Sequence, residues 1–214
     1  MQHLPIAIGK VIRHGVVFDL KNWTDRPMNN DDLELSVLRL FALLAERRVD
    51  FTLVGGVALL QYVEGRNTQD IDLILSLSSL ERIPEIDVVE QDGDFARGEF
   101  EALRVDLLLT RNPLFAHVQS THTTWQPFAE REIRTATVEG LILLKLYALP
   151  SLYRQGNFAR VGLYENDIAT LLHVYQPDMN AILDELAPFL DKGDMDEIRS
   201  LVEELRGRFA RFGK

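Results

Sequence analysis

One segment, residues 51–75, constrains this chain more than any other. It reads Phe-Thr-Leu-Val-Gly-Gly-Val-Ala-Leu-Leu-Gln-Tyr-Val-Glu-Gly-Arg-Asn-Thr-Gln-Asp-Ile-Asp-Leu-Ile-Leu. An apolar strand, Phe51 to Val54, runs into the pair Gly55-Gly56. A short helix and a polar loop follow, then a strand that carries Asp70 and Asp72. Successive side chains on a strand point to opposite faces, so Asp70 and Asp72 share one face. Two carboxylates held side by side repel each other and bind a divalent cation well.

Gly55 and Gly56 stand where a helix begins. Bare backbone N–H groups and the helix dipole favour an anion such as phosphate there. Metal-binding carboxylates beside a phosphate cradle imply nucleotide chemistry. The plainer alternative is a tight turn at Gly55 and two solvated aspartates on an edge strand.

The order strand, Gly-Gly, helix, Arg66-Asn-Thr-Gln-Asp-Ile-Asp-Leu73 resembles the DNA polymerase β-like nucleotidyltransferase superfamily. Its motif is a glycine pair or Gly-Ser followed by Asp-x-Asp. The Arg-x-Thr-x-Asp-x-Asp form is similar to the AbiEii/MenT toxin and minimal-nucleotidyltransferase branch. The resemblance covers about Leu33 to Leu172. It implies an α+β fold: a mixed β-sheet flanked by helices, with a helical C-terminal half. It implies two Mg²⁺ ions that bridge carboxylates and the phosphates of an NTP. It also implies that Gly55, Gly56, Arg66 and Thr68 serve the nucleotide, with Arg66 and Thr68 anchoring the loop or touching phosphate.

Composition sets outer limits. The chain has 214 residues, 46% hydrophobic and 26% charged, as in ordinary globular proteins with ample core. No apolar run approaches a membrane span. The first residues lack the basic start and apolar core of a signal peptide. With no cysteine, disulfides and thiolate zinc sites are excluded. A cytoplasmic location is the expectation. The net charge of −10 argues against a surface that binds a polyanion everywhere. It leaves room for a local basic groove, a cationic substrate or a basic protein partner.

The rest of the chain divides in two. Leu4 to Leu20 reads as an irregular or β-rich preface. Asn29-Asn-Asp-Asp caps a helix reaching to about Arg48, with a broad apolar face. Strands are expected at Phe51–Val54, Ile71–Leu75 and Leu103–Leu109. Val88–Glu90 and Phe95–Phe100 form a hairpin about Asp92-Gly93. Pro113–Ser120 reads as a short helix and Arg131–Thr135 as a small strand. A helix from Val138 to Leu149 is expected to stop at Pro150. A loop holding Gly156 and Gly162 then leads to a helix over Tyr164–Val174. Two more helices cover Met179–Leu190 and Met195–Phe209. The expected division is a nucleotidyltransferase core with an N-terminal extension, residues 1–136, and a helical region, residues 137–214.

Asp106 is a lone acid in the apolar run Leu103-Arg-Val-Asp-Leu-Leu-Leu109. Burying an unpartnered carboxylate is costly. An ion pair with Arg104 or a metal would resolve that cost. The resemblance implies the metal: Asp106 becomes the third carboxylate, often the general base of this fold. Lys145 interrupts another apolar run, Leu141-Ile-Leu-Leu-Lys-Leu-Tyr-Ala-Leu149. It either snorkels along the wet edge of a helix or, as the resemblance implies, meets the triphosphate. Asp167 then matches the acidic residue of the following helix, which orients Lys145 or contacts substrate. Otherwise Asp167 is a first-turn acid favoured by the helix dipole.

Other residues carry weaker signals. Ser76, Ser78 and Ser79 line a pocket or cap a turn. His117 and His122 lack zinc-site spacing. Arg131, Arg134, Arg154 and Arg160 could rim an acceptor site. Arg206, Arg208, Arg211 and Lys214 form a basic tail.

The function these expectations support is metal-dependent transfer of an NMP from an NTP to an acceptor. The resemblance implies an RNA acceptor, the tRNA 3′ end, and a toxin paired with an antitoxin protein. Two alternatives stand beside it. One is a small-molecule nucleotidyltransferase of the aminoglycoside type. The other is a non-catalytic nucleotide-binding interaction module.

Overall fold

The computed structural model describes residues 30–63, 68, 70–101, 103–128 and 131–212. The preface at Leu4 to Leu20, the cap residue Asn29 and loop residue Arg66 lie outside them. The fold is α+β, built on a seven-stranded mixed sheet. The chain divides between Thr137 and Val138 into two compact units.

In the first unit, α1 spans Asn30–Glu46. Its buried Val37, Leu40, Phe41 and Leu44 recur at helical spacing and form one apolar stripe. Arg48 takes the left-handed conformation (φ 50°), and Val49 N–H reaches back to the Leu44 carbonyl, which closes the helix. The strand β1, Phe51–Val54, enters the five-residue helix α2, Gly55–Leu59. Then come β2 (Asp70–Leu75), the one-turn helix α3 (Leu77–Leu80), β3 (Asp87–Gln91), β4 (Phe95–Phe100) and β5 (Leu103–Leu109). The unit ends with α4 (Pro113–Thr121), β6 (Thr123–Phe128) and β7 (Arg131–Ala136).

The strand order is β3-β4-β5-β2-β1-β7-β6. At its centre β2 runs antiparallel to β1 and parallel to β5. Register sorts the side chains. Leu53, Leu73 and Leu107 fall on one face, with Ala96 of β4 beside them. That face is covered by α1, whose Phe41 stacks on Phe51 at 5.7 Å between ring centroids. The opposite face carries Asp70, Asp72 and Ile74 of β2. Its apolar end is covered by α4: Phe115 meets Phe95 edge-on at 5.2 Å, and Gln119 Nε2 donates to the Ile74 carbonyl. The acidic end is the part of interest.

Two small elements escape the sequence pattern. Strand β6 contains Pro127, which reads against a strand. Among the described residues β6 pairs with β7 alone, so Pro127 serves no second ladder among them. Helix α3 is one turn capped by Ser76, whose Oγ accepts from Ser79 N–H at 3.1 Å. That places Ser76 in a capping role.

The second unit holds α5 (Val138–Arg154), α6 (Phe158–Tyr175), α7 (Met179–Leu186), a 3₁₀ turn (Ala187–Phe189) and α8 (Lys192–Phe212). Two expectations need correction. Pro150 does not stop α5, which runs on to Arg154. A proline removes one ladder bond, but Leu149, Pro150 and Leu152 are all buried here, and that burial keeps the helix going. The loop is also shorter than expected. Gly156 turns the chain at φ +67°, Asn157 caps α6 by accepting from Arg160 N–H, and Gly162 lies inside the helix. Among the described residues no helix is long and apolar enough to cross a membrane.

Candidate functional site

Strand register builds a polar row across the sheet. Asp72 of β2 lies opposite Asp106 of β5, and Asp106 lies opposite Arg97 of β4. Asp70, two residues before Asp72, lies opposite Arg104. All five side chains therefore share one face. Directly paired residues on adjacent strands are about 5 Å apart. Asp70 and Asp72 are half-buried, and Asp106 keeps 19% of its side chain exposed.

The glycine pair acts on Asp72 itself. Gly55 has φ +64°, a region that favours glycine. A Cβ built there would lie 1.9 Å from Asp72 Oδ2. Gly56 N–H then donates to the same Oδ2 at 3.3 Å. Thus one N–H of the expected phosphate cradle, that of Gly56, is directed at a carboxylate. Both glycines position the Asp72 carboxylate, one by leaving space and the other by a hydrogen bond.

Asp106 is paired, and not with Arg104. Arg97 Nε donates to Asp106 Oδ1 at 3.0 Å, and its Nη1 donates to Glu90 Oε2 at 3.1 Å. Residues two apart on one strand are separated by about 6.6 Å, whereas the cross-strand neighbour is closer. That distance selects Arg97. The hydrogen bond and charge of Asp106 raise the Arg97 pKa above its usual value. Glu90 and Asp70 add to this, and burial opposes it.

In the helical unit, Lys145 of α5 and Asp167 of α6 are 5% and 3% exposed. Nζ donates to Asp167 Oδ2 at 2.8 Å. The ammonium also lies 4.3 Å from the ring centroid of Tyr164, within cation–π range. Lys145 therefore does not snorkel. Asp167 sits well inside α6, so it is not a first-turn acid.

No protein-family profile and no curated protein matches this chain. Solved structures do resemble it. An antigenic nucleotidyltransferase-like protein from Paracoccidioides brasiliensis superposes with a TM-score of 0.57 at 16% identity. The match covers 87% of this chain and 94% of that one. ANT(2")-Ia in complex with adenylyl-2"-tobramycin gives a TM-score of 0.51 at 14% identity, covering 84% and 99%. The chain has a nucleotidyltransferase-like fold.

On this nucleotidyltransferase-like fold the remaining candidates divide by their surroundings. Thr68 is half-buried just ahead of β2. The rings of His117 and His122 meet edge-on, 5.8 Å apart. Arg134 is engaged by Asp50 at 2.7 Å and by the Gln119 carbonyl. Arg154 is engaged by Asp194 at 2.7 Å. Arg131 and Arg160 are exposed. In the basic tail, Arg208 pairs with Glu204 at 2.8 Å. Sequence reasoning missed Arg97, Glu90 and Tyr164. The signal for Arg97 was present in the alternation of Phe-Ala-Arg-Gly-Glu-Phe and the short turn that sets its register against Asp106.

Proposed function

We propose that this chain is a divalent-metal-dependent nucleotidyltransferase that moves an NMP from an NTP to an acceptor hydroxyl. The observation that carries this reading is the register pairing of Asp72 with Asp106, with Asp70 on the same face. The donor set fits a hard cation: carboxylate oxygens side by side, one fixed by a glycine amide. Such oxygens suit Mg²⁺. Asp70, Asp72 and Asp106 would hold it, two ions in the fullest form of the proposal. Bound Mg²⁺ would neutralise the triphosphate and stabilise the leaving pyrophosphate.

The chain's own groups take the other roles. Gly55 and the Gly56 amide keep Asp72 in place, and the motif resemblance supports a nucleotide-binding role for Gly55, Gly56, Arg66 and Thr68. Asp106 accepts the proton of the attacking hydroxyl as its oxygen bonds to the α-phosphorus. Pyrophosphate leaves from that phosphorus. For Lys145 the helix resemblance supports a role as a phosphate-binding cation, with Asp167 orienting it. The 2.8 Å bond supports the orienting half of that assignment.

The acceptor has two readings. The resemblance of residues 66–73 to AbiEii/MenT proteins supports RNA, the tRNA 3′ end, in a toxin checked by an antitoxin protein. A small cationic acceptor of the aminoglycoside type is supported by the net charge of −10, by the ion pairs that occupy Arg134 and Arg154, and by the likeness to ANT(2")-Ia. The test is to incubate the protein with each labelled NTP and Mg²⁺, offering total RNA, tobramycin or neither. Label on RNA supports the first acceptor and label on tobramycin the second. No transfer from any NTP to any acceptor, the protein included, overturns the enzymatic reading in favour of an interaction module.

A further inference from the structure

The proposed metal site already holds a cation of its own. Arg97 Nε donates to Asp106 Oδ1 at 3.0 Å, which engages the carboxylate the reaction needs. We propose that Arg97 is a displaceable positioning residue: it holds Asp106 before a divalent ion binds and releases it when one does. This rests on the metal-dependent reading above.

Three observations carry the inference. The first is geometry. Arg97, Asp106 and Asp72 form one unbroken row across β4, β5 and β2. A divalent ion shared by Asp72 and Asp106 would therefore stand beside the guanidinium. Like charges at that separation repel, so the ion and Arg97 compete for the same oxygen.

The second is mobility. The Arg97 side chain is 50% exposed and that of Asp106 only 19%. Asp106 sits on a strand paired on both sides, whereas arginine has a long flexible stem. The arginine is the partner free to move. Its bond to Asp106 lies at the solvent boundary, where ion pairs are weak.

The third is the second contact. Arg97 Nη1 donates to Glu90 Oε2 at 3.1 Å, and Glu90 lies on the edge strand β3 with 71% of its side chain exposed. When Arg97 leaves Asp106, Glu90 keeps it near the site. The charges that act on Arg97 most strongly are acidic: Asp106, Glu90 and, more distantly, Asp70. Without a cation, Asp70, Asp72 and Asp106 would crowd negative charge on one face. Arg97 relieves that crowding in the metal-free protein.

The experiment uses the full chain, ¹⁵N-labelled, and titrates Mg²⁺ alone. Arg97→Met assigns the Arg97 Nε–H resonance by its loss. The expected result is that this resonance shifts in step with Mg²⁺ saturation. Calorimetry should show Mg²⁺ binding Arg97→Met about twofold to fivefold more tightly than the unsubstituted chain, the range expected when a weak competing ion pair is removed. Arg104→Met removes the same charge from the same face and should tighten binding less. If Mg²⁺ binds and the Arg97 resonance stays fixed, or if Arg104→Met matches Arg97→Met, the displacement is wrong and the metal reading survives. If Mg²⁺ does not bind the unsubstituted chain, both fail together.

Discussion

The Asp72 carboxylate occupies the space that a side chain on residue 55 would fill. A Cβ on Gly55 would come within 1.9 Å of Asp72 Oδ2 and 2.2 Å of its Cγ. Glycine here is demanded twice, by the carboxylate of a later strand and by the left-handed backbone at φ +64°. The two halves of the sequence motif are thus in direct contact.

Gly55→Ala should therefore damage the acid row before anything else. Strain at a positive φ costs about 1–3 kcal/mol, and Asp72 must also move. The expected outcome is a lowered Tm together with weakened Mg²⁺ binding, read by thermal melting and calorimetry. A variant that melts and binds Mg²⁺ like the parent chain would show that Asp72 does not depend on this glycine.

Asp72→Asn should separate chemistry from stability. Asparagine keeps an oxygen to accept from Gly56 N–H but loses the charge that attracts a cation. A metal contribution of several kcal/mol corresponds to roughly a thousandfold loss of transfer. Stability should stay within about 1 kcal/mol of the parent, because a like charge has been removed from beside Asp70 and Asp106. Labelled-NTP turnover and melting together decide this.

Much of the fold was legible because local pattern and tertiary demand agreed. The β5 run Leu103 to Leu109 alternates in burial along the strand, and Asn112 caps α4 while Pro113 opens it. What was not legible depended on neighbours. Pro150 reads as a helix stop, yet buried leucines on both sides carry α5 past it. Pro127 reads against a strand, yet an edge position tolerates it. The acid row shows the same limit. Asp70, Asp72 and Asp106 can be found in the sequence because carboxylates in apolar strands are conspicuous. That Asp106 meets Arg97 rather than Arg104 depends on strand order and register, which one strand alone does not encode.

The Lys145–Asp167 pair should behave as a buried ion pair. Removing one partner leaves a buried charge without its 2.8 Å counter-ion, at a cost of about 3–5 kcal/mol. Lys145→Met and Asp167→Leu should each lower Tm sharply. The double variant should recover much of the loss, since two apolar residues replace two charges. Strictly additive losses in a double-mutant cycle would mean that the 2.8 Å contact contributes nothing.

Tyr153 should titrate late. Its hydroxyl donates to Glu165, and that bond, with burial and the Glu165 charge behind it, pushes its pKa up to about 12 from 10.0. Below pH 10 both folded and unfolded chains keep the proton. Between 10 and about 12 the unfolded chain loses it first, so the folded state binds more protons and stability falls as pH rises. Ultraviolet titration of tyrosinate should show one tyrosine ionising near 12, absent in Tyr153→Phe. Glu165→Ala should return it toward 10.

The four candidate acceptor arginines should divide into two classes. Arg134 and Arg154 are engaged by Asp50 and Asp194, whereas Arg131 and Arg160 are exposed. Arg134→Glu places a negative charge against Asp50 and should lower Tm. Arg131→Glu and Arg160→Glu should leave Tm nearly unchanged. If RNA is the acceptor, those two reversals should weaken RNA use while sparing NTP binding. Phosphate contacts release counterions, so RNA affinity should fall linearly on a log–log plot against salt. Each arginine that no longer meets a phosphate should flatten that slope by about 0.9 on duplex regions and about 0.7 on single strands. An RNA affinity unmoved by salt and by both reversals would remove the electrostatic basis for RNA. The acidic chain would then be better matched to a small cationic acceptor, and tobramycin labelling would be the measurement to make next.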